Sequence, residues 1–561
     1  MFLVSPGVSV QEIDATNVVP AVSTAIGGYV GTFEWGPAEQ AILVSSEKQL
    51  SAIFGVPSPL TAKSFHIAAS FLKYGNSLKV SRAVAYTTSP VVSYSLNATS
   101  TSSTGILIAN QAAFTSIDSS AFSFVARYAG SYGNNIRIEV ASASTFVDAS
   151  VSFKAAFDYT PSFTLNPAYN DEIHIRVVND VTGETLEKYT GLSMAPDAKK
   201  ADGSTLYYRD VLNSSSVYIY ANDLDGSFAN DGLLIRNELT NVFNTPAAVT
   251  GDVVIDVLLS GGVTSADAFV QYATAADVFA DPDIIDVSLL FGEQTGVGSK
   301  SSLESALETI AVNRKDCIAF VSAPETIATQ SSSANKLLLA TTKAGLFNTS
   351  YVVLDSTPVY TYNKYSDSYI WIPAAGHIAG LCARTDNTND PWWSPAGYNR
   401  GVLLGVTKLA FNPTQAERDE LYKVSANPIV SFPGQGIMLY GDKTAQKKPS
   451  AFDRINVRRL FIVLEKAIAT AAKYQLFEFN DEFTQAMFRN MVEPFLRDVK
   501  GRRGIYDFMV VCDSTNNTGE VVDSNRFVGD IFIKPARAIN YINLNFVAVR
   551  TGVAFSEIAG K

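Results

Sequence analysis

Histidine and cysteine are scarce in this chain of 561 residues, which holds three of each. The cysteines, Cys317, Cys382 and Cys512, are widely separated and have apolar neighbours, a pattern typical of small buried core residues in a reduced compartment. The three histidines and the scattered cysteines leave no clustered metal site, and no histidine accompanies a Gly-x-Ser-x-Gly segment of a hydrolase nucleophile. These absences argue against metal, redox and triad chemistry, and we expect no cofactor.

Long apolar runs are missing as well. None is long enough to span a bilayer, and residues 1–20 lack the basic and apolar regions of a secretory signal. We therefore expect the product to stay in the cytosol where it is made, and not to be a membrane protein. With 47% hydrophobic and 17% charged residues, the chain is expected to fold into two to four domains.

Positive charge is too scarce for a surface that wraps nucleic acid, because the formal net charge is −11. The charge is unevenly placed: residues 91–250 hold 9 basic and 16 acidic residues, whereas residues 391–561 hold 22 basic and 17 acidic ones. Such a difference can orient a particle that associates with itself. Differently solvated surfaces explain it equally well.

Apolar periodicity predicts an α/β pattern in two separated pieces. In the first piece, strands are predicted at 25–33 and 78–85, with helices at 46–54 and 64–73 between them. In the second, helices are predicted at 266–279, 302–312 and 334–347, and strands at 284–291, 317–322 and 351–355. This alternation builds a largely parallel sheet with covering helices, so both pieces are expected to form one domain.

The residues between and after these pieces follow other patterns. Residues 93–104 are rich in Ser and Thr, and strand and turn signals continue to about residue 250, with strands predicted at 136–140, 172–178 and 216–220. Further on, two long amphipathic helices are predicted, one at 453–477 and one capped by Asn480-Asp481 and ended by Gly501. Pro494 is expected to kink or break the second helix, and a strand is predicted at 506–512.

Both ends of the chain are predicted to be isolated strands without a local partner. Apolar residues alternate with polar ones near the start and again near the end. An edge strand that joins a neighbour's sheet is a physical means of linking copies into an open lattice. The apolar residues of these two strands are Val8 and Val10 at the start, and Ile542, Leu544, Phe546 and Ala548 at the end.

Two basic clusters lie in the last third of the chain. One comprises Lys443, Lys447 and Lys448, and the other comprises Arg502 and Arg503. A solvated face is the usual explanation of such clusters. Contact with an acidic partner is the second interpretation.

One segment is similar to a phosphate-binding loop, because residues 292–301 are glycine-rich and lie between a predicted strand and a predicted helix. The segment departs from that motif at two positions: Ser299 precedes Lys300, and Gln294 stands where the first glycine belongs. A glycine-rich connection is therefore favoured over nucleotide binding. The three histidines, His66, His174 and His377, are expected to be packed or surface residues.

Seven segments carry a resemblance to a known family. They include Ala-Gly-Leu-Cys-Ala-Arg-Thr-Asp at 379–386 and Glu-Pro-Phe-Leu-Arg-Asp-Val-Lys-Gly-Arg-Arg-Gly at 493–504; the others are 5–12, 28–37, 393–396, 436–444 and 533–539. Taken in the order in which they occur along nearly the whole chain, these segments resemble the tail sheath proteins of contractile-tailed bacteriophages. The match in the last third is closest to the sheath of T4-like myoviruses.

Patterns and resemblance together imply an α/β and α+β multidomain fold. The middle α/β domain is expected to be subtilisin-like, as the family is described. The expected parts are an N-terminal extended arm at 1–22, the middle domain at 23–87 and 251–370, an inserted β-rich outer region of one or two domains at 88–250, an α+β assembly domain at 371–535 and a C-terminal strand arm at 536–561.

The resemblance also implies the function. A sheath subunit polymerises as stacked hexameric rings around the tail tube, and the sheath contracts to drive the tube through the host envelope during genome delivery. The implied partners are other copies of the chain, the tail tube protein, and the baseplate and tail terminator proteins. The implied location is the virion tail, after assembly in the host cytoplasm, and no enzymatic activity is expected.

Two alternatives remain open from the sequence. The sheath of a bacterial contractile injection system or tailocin obeys the same physics. A hydrolase or NTPase belongs to a different class and would require turnover by the isolated subunit.

Overall fold

The computed structural model describes residues 23–84, 94–96, 108, 114, 122–142, 146–161, 172–193, 198–221, 255–262, 270–293 and 295–540. The described residues form two compact units. The large unit runs from residue 23 to 391 and from 395 to 467, with the gaps just given. The small unit comprises residues 392–394 and 468–540.

The secondary structure is numbered in chain order over the described residues. The strands are β1 Gly27–Gly31, β2 Ile42–Val44, β3 Leu78–Arg82, β4 Tyr94–Leu96, β5 Phe122–Ala126, β6 Ile136–Ser142, β7 Glu172–Asn179, β8 Thr185–Ser193, β9 Ile219–Ala221, β10 Ile255–Leu258, β11 Leu289–Gly292, β12 Ile318–Val321, β13 Val352–Asp355, β14 Val359–Asn363, β15 Ser368–Ile372, β16 Val406–Leu409, β17 Ala426–Asn427, β18 Ile429–Phe432, β19 Gly436–Leu439, β20 Ile505–Val511 and β21 Asp530–Pro535. The helices are α1 Glu47–Phe54, α2 Ala62–Leu72, α3 Val151–Ala155, α4 Tyr208–Ser215, α5 Tyr272–Asp277, α6 Ser302–Arg314, α7 Ser333–Gly345, α8 Ala375–Thr388, α9 Gln415–Lys423, α10 Ile455–Ala472, α11 Glu482–Gly501 and α12 Gly519–Asp523.

A seven-stranded sheet forms the centre of the large unit. Its strand order is β17-β13-β12-β11-β1-β3-β2, and all neighbours are parallel except β3 and β2. Strand β1 pairs with β11 in a register that places Gly27 opposite Leu289. The sheet therefore joins the two α/β pieces predicted from the sequence, and it is largely parallel as predicted.

Apolar side chains cover both faces of this sheet. Tyr29 and Phe291 belong to one buried cluster together with residues of α2 and α8. Their chain neighbours Val30 and Leu290 belong to a second cluster, together with residues of α5, α6 and α7. Because successive strand residues point to opposite faces, both faces are apolar, as a parallel sheet covered by helices on both sides requires.

The large unit continues well beyond residue 371, where the sequence pattern places the start of the assembly domain. Helix α8 packs in the same buried cluster as β1 and α2. Strand β17 forms one edge of the central sheet through the parallel pair Leu354 and Ala426. The alternation that marks the sheet in the sequence stops near residue 370 because β14, β15 and β16 form a separate antiparallel sheet there, while burial continues.

The inserted region contains two antiparallel sheets, one of order β10-β6-β7-β8 and one of order β4-β5-β9. The strands predicted at 136–140 and 172–178 are confirmed as β6 and β7, and the one predicted at 216–220 overlaps β9. The sequence pattern places the end of the insertion at residue 250. Strand β10 pairs with β6, with Ile255 opposite Val140, so the inserted sheet includes residues that the sequence pattern assigned to the next piece.

Arg82, at the end of β3, ties the insertion to the central sheet. Its guanidinium is buried and donates to the backbone oxygens of Phe33 at 3.0 Å, Gly36 at 2.7 Å and Ala129 at 2.6 Å. Burial lowers the pKa of Arg82 to about 10, but it remains charged at neutral pH. A buried cation bound to three carbonyl oxygens fixes the positions of all three backbone segments.

Trp35 shares the core of the insertion. Its ring centroid lies 5.2 Å from that of Tyr128, 5.1 Å from that of Tyr132 and 6.2 Å from that of Tyr218. Trp35 is buried in the same cluster as the strands of both inserted sheets. The insertion is therefore packed against the segment that follows β1.

The small unit is built on α11. The Asp481 side chain accepts from the Thr484 backbone N–H at 2.8 Å, which confirms the predicted cap. Pro494 lies inside the helix, and the expected break is absent. Buried Val492 and Leu496 on either side of Pro494 keep both halves of the helix in one core, which offsets the lost hydrogen bond. The predicted strand at 506–512 is confirmed as β20.

The contact between α2 and α8 yields a test of the fold. A Cβ on Gly376 would lie 2.3 Å from the Ile67 carbonyl oxygen and 2.4 Å from Ser70 Oγ. We expect Gly376→Ala to lower the free energy of unfolding by about 1 to 3 kcal/mol, because neither helix can move without disturbing the core. The measurement is urea unfolding followed by circular dichroism.

The matched control is Gly345→Ala at the end of α7. A Cβ at this position meets no atom within 4 Å. This change should leave stability unaltered or raise it by up to about 1 kcal/mol. Equal stability of the two variants would contradict the close helix packing.

Candidate functional site

The small unit presents an antiparallel pair of strands with an exposed face. Met509 of β20 lies opposite Phe532 of β21, and each side chain is 55% exposed. The next exposed pair is Asp507 with Lys534. Among the described residues, β20 and β21 pair only with each other. Each strand therefore has one edge whose backbone groups are available to a further strand.

The connection between α10 and α11 is the second exposed apolar feature of the small unit. The helix predicted at 453–477 ends at Ala472, and one short 3-10 turn follows. Four large side chains in this connection and one in the first turn of α11 are exposed, and the least exposed of the five, Leu476, keeps 63% of its surface. We call residues 474–483 the aromatic loop; its exposed apolar residues are Tyr474, Leu476, Phe477, Phe479 and Phe483.

Sequence reasoning missed the aromatic loop. The apolar spacing of α10 continues to Phe477, so the periodicity was satisfied by a longer helix. A signal was present nevertheless: Leu476, Phe477 and Phe479 lie so close together that one helical stripe cannot hold them all. Such a run beside polar residues indicates an exposed apolar patch, and patches of this kind mark interaction surfaces.

The predicted basic residues of the large unit differ in their exposure and in the contacts that they make within the unit. The Lys443 ammonium donates to the Tyr422 carbonyl oxygen at 2.7 Å and lies 4.4 Å from the centroid of the Tyr422 ring. Burial lowers the pKa of Lys443, as does the neighbouring Arg454. Lys447 donates to a backbone oxygen at 2.6 Å and is exposed, as is Lys448. Lys443 is therefore engaged within its own unit.

The other basic cluster belongs to the small unit, so the two predicted clusters lie in different units. The Arg502 guanidinium lies 5.2 Å from the Trp392 ring centroid, and that of Arg503 lies 5.4 Å from the Trp393 ring centroid. Arg502 also lies 3.5 Å from a carboxylate oxygen of Asp498. Both arginines are exposed and are oriented by tryptophan rings.

The predicted strand arms lie outside the described residues. This applies to Val8 and Val10 at the start of the chain, and to Ile542, Leu544, Phe546 and Ala548 at its end.

The carboxyl ends of the parallel strands are where an α/β enzyme binds its ligand. Here two buried carboxylates occupy that edge. Glu293 accepts from the Thr32 backbone N–H at 3.0 Å, the Thr32 hydroxyl at 3.1 Å and the Tyr272 hydroxyl at 2.6 Å. Burial raises the pKa of Glu293 to about 7. This carboxylate is thus held by hydrogen bonds within the protein.

The second carboxylate of this edge, Asp355, is held in a similar way. It accepts from the Ser322 hydroxyl at 2.6 Å and from the Ala323 backbone N–H at 3.0 Å. Burial raises its pKa to about 7. Ser322 in turn accepts from the backbone N–H of Ala375, at the start of α8. The arrangement joins three elements of the core.

The loop that is similar to a phosphate-binding loop also makes internal contacts. The Lys300 ammonium pairs with the Glu308 carboxylate and lies 4.6 Å from the Phe347 ring centroid. Ser301 and Glu304 form a reciprocal cap at the start of α6. These contacts are those of a structural connection between a strand and a helix.

The histidines have structural hydrogen bonds. The Tyr74 hydroxyl accepts from the Leu404 backbone N–H at 2.6 Å and shares a hydrogen bond of 3.0 Å with His377 Nδ1. Burial lowers the pKa of His377 to about 3. His174 Nδ1 accepts from the Gly191 backbone N–H at 3.1 Å. His377 is thus a packed, neutral residue, as expected.

The cysteines are buried as predicted, and none forms a disulfide. Burial raises the pKa of Cys382 to about 12 and raises those of the other two thiols as well. No three His, Cys, Asp or Glu side chains in the described part of the chain are grouped as metal ligands would be. No described helix combines the length and hydropathy that a bilayer crossing requires.

Three family models match the chain. The phage tail sheath protein central domain matches residues 294–445, the phage tail sheath C-terminal domain matches residues 447–548, and the tail sheath protein Gp18 domain III N-terminal region matches residues 24–83. The tail sheath proteins of Vibrio phage KVP40 and Enterobacteria phage T4 are each 32% identical to this chain, over the full length of both proteins in each case.

Solved structures share the fold. The sheath tail protein of Listeria innocua aligns with a TM-score of 0.52 and 11% identity, over 92% of this chain and 96% of the other. The helical sheath of the anti-feeding prophage in its contracted state aligns with a TM-score of 0.51 and 14% identity, over 98% of this chain and 99% of the other.

The chain belongs to the phage tail sheath protein family. It is a structural subunit of the sheath of a contractile phage tail, and the resemblance found in the sequence is confirmed.

The buried carboxylates predict a pH dependence of stability. Burial raises the pKa of Asp355 to about 7 in the folded state, whereas an unfolded Asp has a pKa of about 4. As pH rises between these two values, ionisation of the carboxyl group therefore favours the unfolded chain. We expect the contribution of Asp355 to the free energy of unfolding to be largest below about pH 4 and to decrease as pH rises to about 7.

Asp355→Asn imitates the neutral carboxyl group and should remove this part of the pH dependence. Urea midpoints measured from pH 4.5 to 8 for the parent, Asp355→Asn and Glu293→Gln report the share of each group. An unchanged slope in both variants would contradict the raised pKa values.

Proposed function

We propose that copies of this chain polymerise as stacked hexameric rings around a tail tube. In this proposal, contraction of the lattice drives the tube through the host envelope during genome delivery. The observation that carries it is the strand pair of the small unit, whose two outer edges have no strand partner among the described residues and whose exposed face is apolar. Membership of the tail sheath family supports it.

Strand exchange is the proposed link between copies. The sequence supplies two strand-like arms, and the small unit supplies β20 and β21 with open edges. Arms from neighbouring copies can add to these edges by backbone hydrogen bonds, while alternate side chains such as Ile542, Leu544 and Phe546 are buried. Covalent continuity of the arms with their own copies would keep rings connected while the lattice changes its dimensions.

The energies explain how assembly is controlled. Burying each large apolar side chain contributes about 1.5 to 3 kcal/mol, and each ladder hydrogen bond contributes about 0.5 to 1.5 kcal/mol. Ordering the arm costs about 1 to 2 kcal/mol per residue. One arm alone is therefore nearly balanced. A subunit stays soluble until a template aligns many such contacts at once.

The proposed partners follow from this template role. They are other copies of the chain, the tail tube protein, and the baseplate and tail terminator proteins that bound the sheath. The exposed Arg502 and Arg503 are suited to an acidic surface on one of these partners, because their guanidinium groups are held in place by tryptophan rings. Assembly takes place in the host cytoplasm, and the product is part of the virion tail.

A bacterial injection machine or tailocin is the second candidate assembly. The phage assignment is favoured because the relatives from Vibrio phage KVP40 and Enterobacteria phage T4 match along the full chain. An enzymatic role has no support in the described site, where Glu293, Asp355, Lys300 and His377 are engaged in internal contacts.

The arms give the first test of the proposed function. The full chain and a variant ended after Pro535 are concentrated and imaged by negative-stain electron microscopy. We expect tubes or stacked rings from the full chain and none from the truncated variant, because the truncation removes the last arm. A third variant without residues 1–20 tests the first arm. Tubes from the truncated variants in the same yield as from the full chain would refute strand exchange.

We also propose that the insertion lies on the outer side of the sheath and is not needed for the lattice. The chain leaves the central sheet at Val84 and returns at Val270, and the Gln271 backbone N–H donates to the Val84 carbonyl oxygen at 3.0 Å. A short linker can therefore replace residues 85–269. Because removal uncovers Trp35, the deletion is combined with Trp35→Ser.

The deletion variant should still form tubes, thinner than those of the full chain. The full chain with Trp35→Ser is the control, because it separates the loss of packing from the loss of the insertion. If the control forms tubes and the deletion variant does not, the proposed outer position is wrong.

A further inference from the structure

Charge is segregated along the small unit. Helix α11 has 20 residues, which corresponds to a length of about 30 Å. Around its first half, residues 473–489 and 513–530 hold seven acidic and three basic residues. Around its second half, residues 490–512 and 531–540 hold three acidic and six basic residues. We call these two regions the acidic end and the basic end.

Hydrogen bonds place these segments at the two ends. At the acidic end, the Asn480 amide donates to the Asn517 side-chain oxygen at 3.2 Å and to the Arg526 carbonyl oxygen at 2.8 Å. These bonds bring residues 517–526 beside the start of α11. The aromatic loop lies in the same region, because it leads directly into this helix.

Similar bonds build the basic end. The Ala536 backbone N–H donates to the Gly504 carbonyl oxygen at 3.0 Å, and the Trp392 indole N–H donates to the Arg502 carbonyl oxygen at 3.1 Å. Trp392, Trp393 and the two arginines are thus grouped at the end of α11. Tyr506 is 64% exposed beside them.

Helix capping explains only part of this distribution. Asp481 caps α11, and acidic groups in a first helical turn are favoured by the helix dipole. Capping does not account for Glu478 or for the apolar exposure of the aromatic loop. Phe477 and Phe479 remain exposed at a position where water contact is unfavourable. A partner surface that covers them gains apolar burial.

We propose that the acidic end of one copy binds the basic end of the next copy. The contact would place the phenylalanine rings of the aromatic loop on the face formed by Arg502, Arg503 and the two tryptophans, where aromatic and guanidinium groups attract each other. Charge complementarity favours this pairing, and pairing of like ends brings equal charges together. A head-to-tail contact can repeat from copy to copy, and the rotation between neighbouring copies decides whether the repeat closes into a ring or continues as an open lattice.

This contact is distinct from strand exchange, since it uses side chains of the small unit rather than the arms. It rests on the proposed function for its setting, because only an assembling subunit meets further copies in this orientation. The occupant is a second copy of the chain. The experiment described next distinguishes a second copy from a tail tube protein as the occupant.

The test uses cysteine pairs and a short bismaleimide. Phe479→Cys marks the acidic end and Tyr506→Cys marks the basic end, while the native cysteines are buried. The two variants are mixed and crosslinked, and the products are separated by gel electrophoresis and mapped by mass spectrometry. The parent chain is the first control. A mixture of Phe479→Cys with Ile284→Cys, an exposed position on the large unit, is the second.

We expect the 479–506 heterodimer to form about tenfold more than the control pair. Reversing one charge, by Glu478→Arg on the first copy or Arg503→Glu on the second, should reduce the yield severalfold, and more at low salt than at high salt. Mixing the two reversed copies should restore the yield. If either substitution lowered the yield only by disturbing the fold of its own copy, the second substitution would not restore the crosslinking yield.

The other outcomes overturn the contact. Crosslinks mainly between identical ends would show a like-end dimer. Tubes in the electron microscope without the 479–506 crosslink would refute this contact and leave the proposed function intact, with the tail tube protein as the remaining occupant. The crosslink without tubes would support the contact and count against the proposed function. Neither tubes nor crosslink would refute both.

Discussion

The parallel pairing of β1 with β11 is the interaction on which the rest of the large unit depends. It joins the first strands of the described chain, β1, β2 and β3, to strands β11, β12, β13 and β17, which come more than 200 residues later. The chain between them must leave and return at neighbouring points, and the Gln271 to Val84 hydrogen bond marks where it does so. The insertion is therefore a region whose two ends lie side by side, and Arg82 and Trp35 fix it to the sheet.

Much of this fold could be predicted because strands and helices of the central sheet are long enough to show periodicity. The boundaries of the central sheet and of the insertion could not be predicted in this way. Strand β17 has two residues, too few for any pattern, yet it extends the sheet and draws residues beyond 371 into the large unit. Strand β10 has the apolar character of a parallel strand, and only its partner β6 shows where it belongs.

The candidate site was predictable only in part, for a related reason. Arg502 and Arg503 stand out as charges in the sequence, but the tryptophans that orient them lie more than 100 residues away. Lys443 belongs to a similar run of charges and is instead engaged by Tyr422. The first part of the aromatic loop continues the apolar spacing of α10, which hides the dense run of Leu476, Phe477 and Phe479 from a search for periodicity, and the fold shows that this run is exposed. Sequence shows which groups are present, and the fold decides which of them water reaches.

The two units use their polar and apolar groups in opposite ways. In the large unit, even Glu293 and Asp355 at the carboxyl ends of the strands are buried and hydrogen-bonded, so this edge offers no open site. The small unit leaves aromatic side chains and strand edges exposed, at a cost that a monomer bears only because charged residues surround them. Exposure of this kind is unfavourable for an isolated protein and favourable for one whose working state is an assembly. In the proposed lattice, other copies would cover these groups and complete the stability of the small unit.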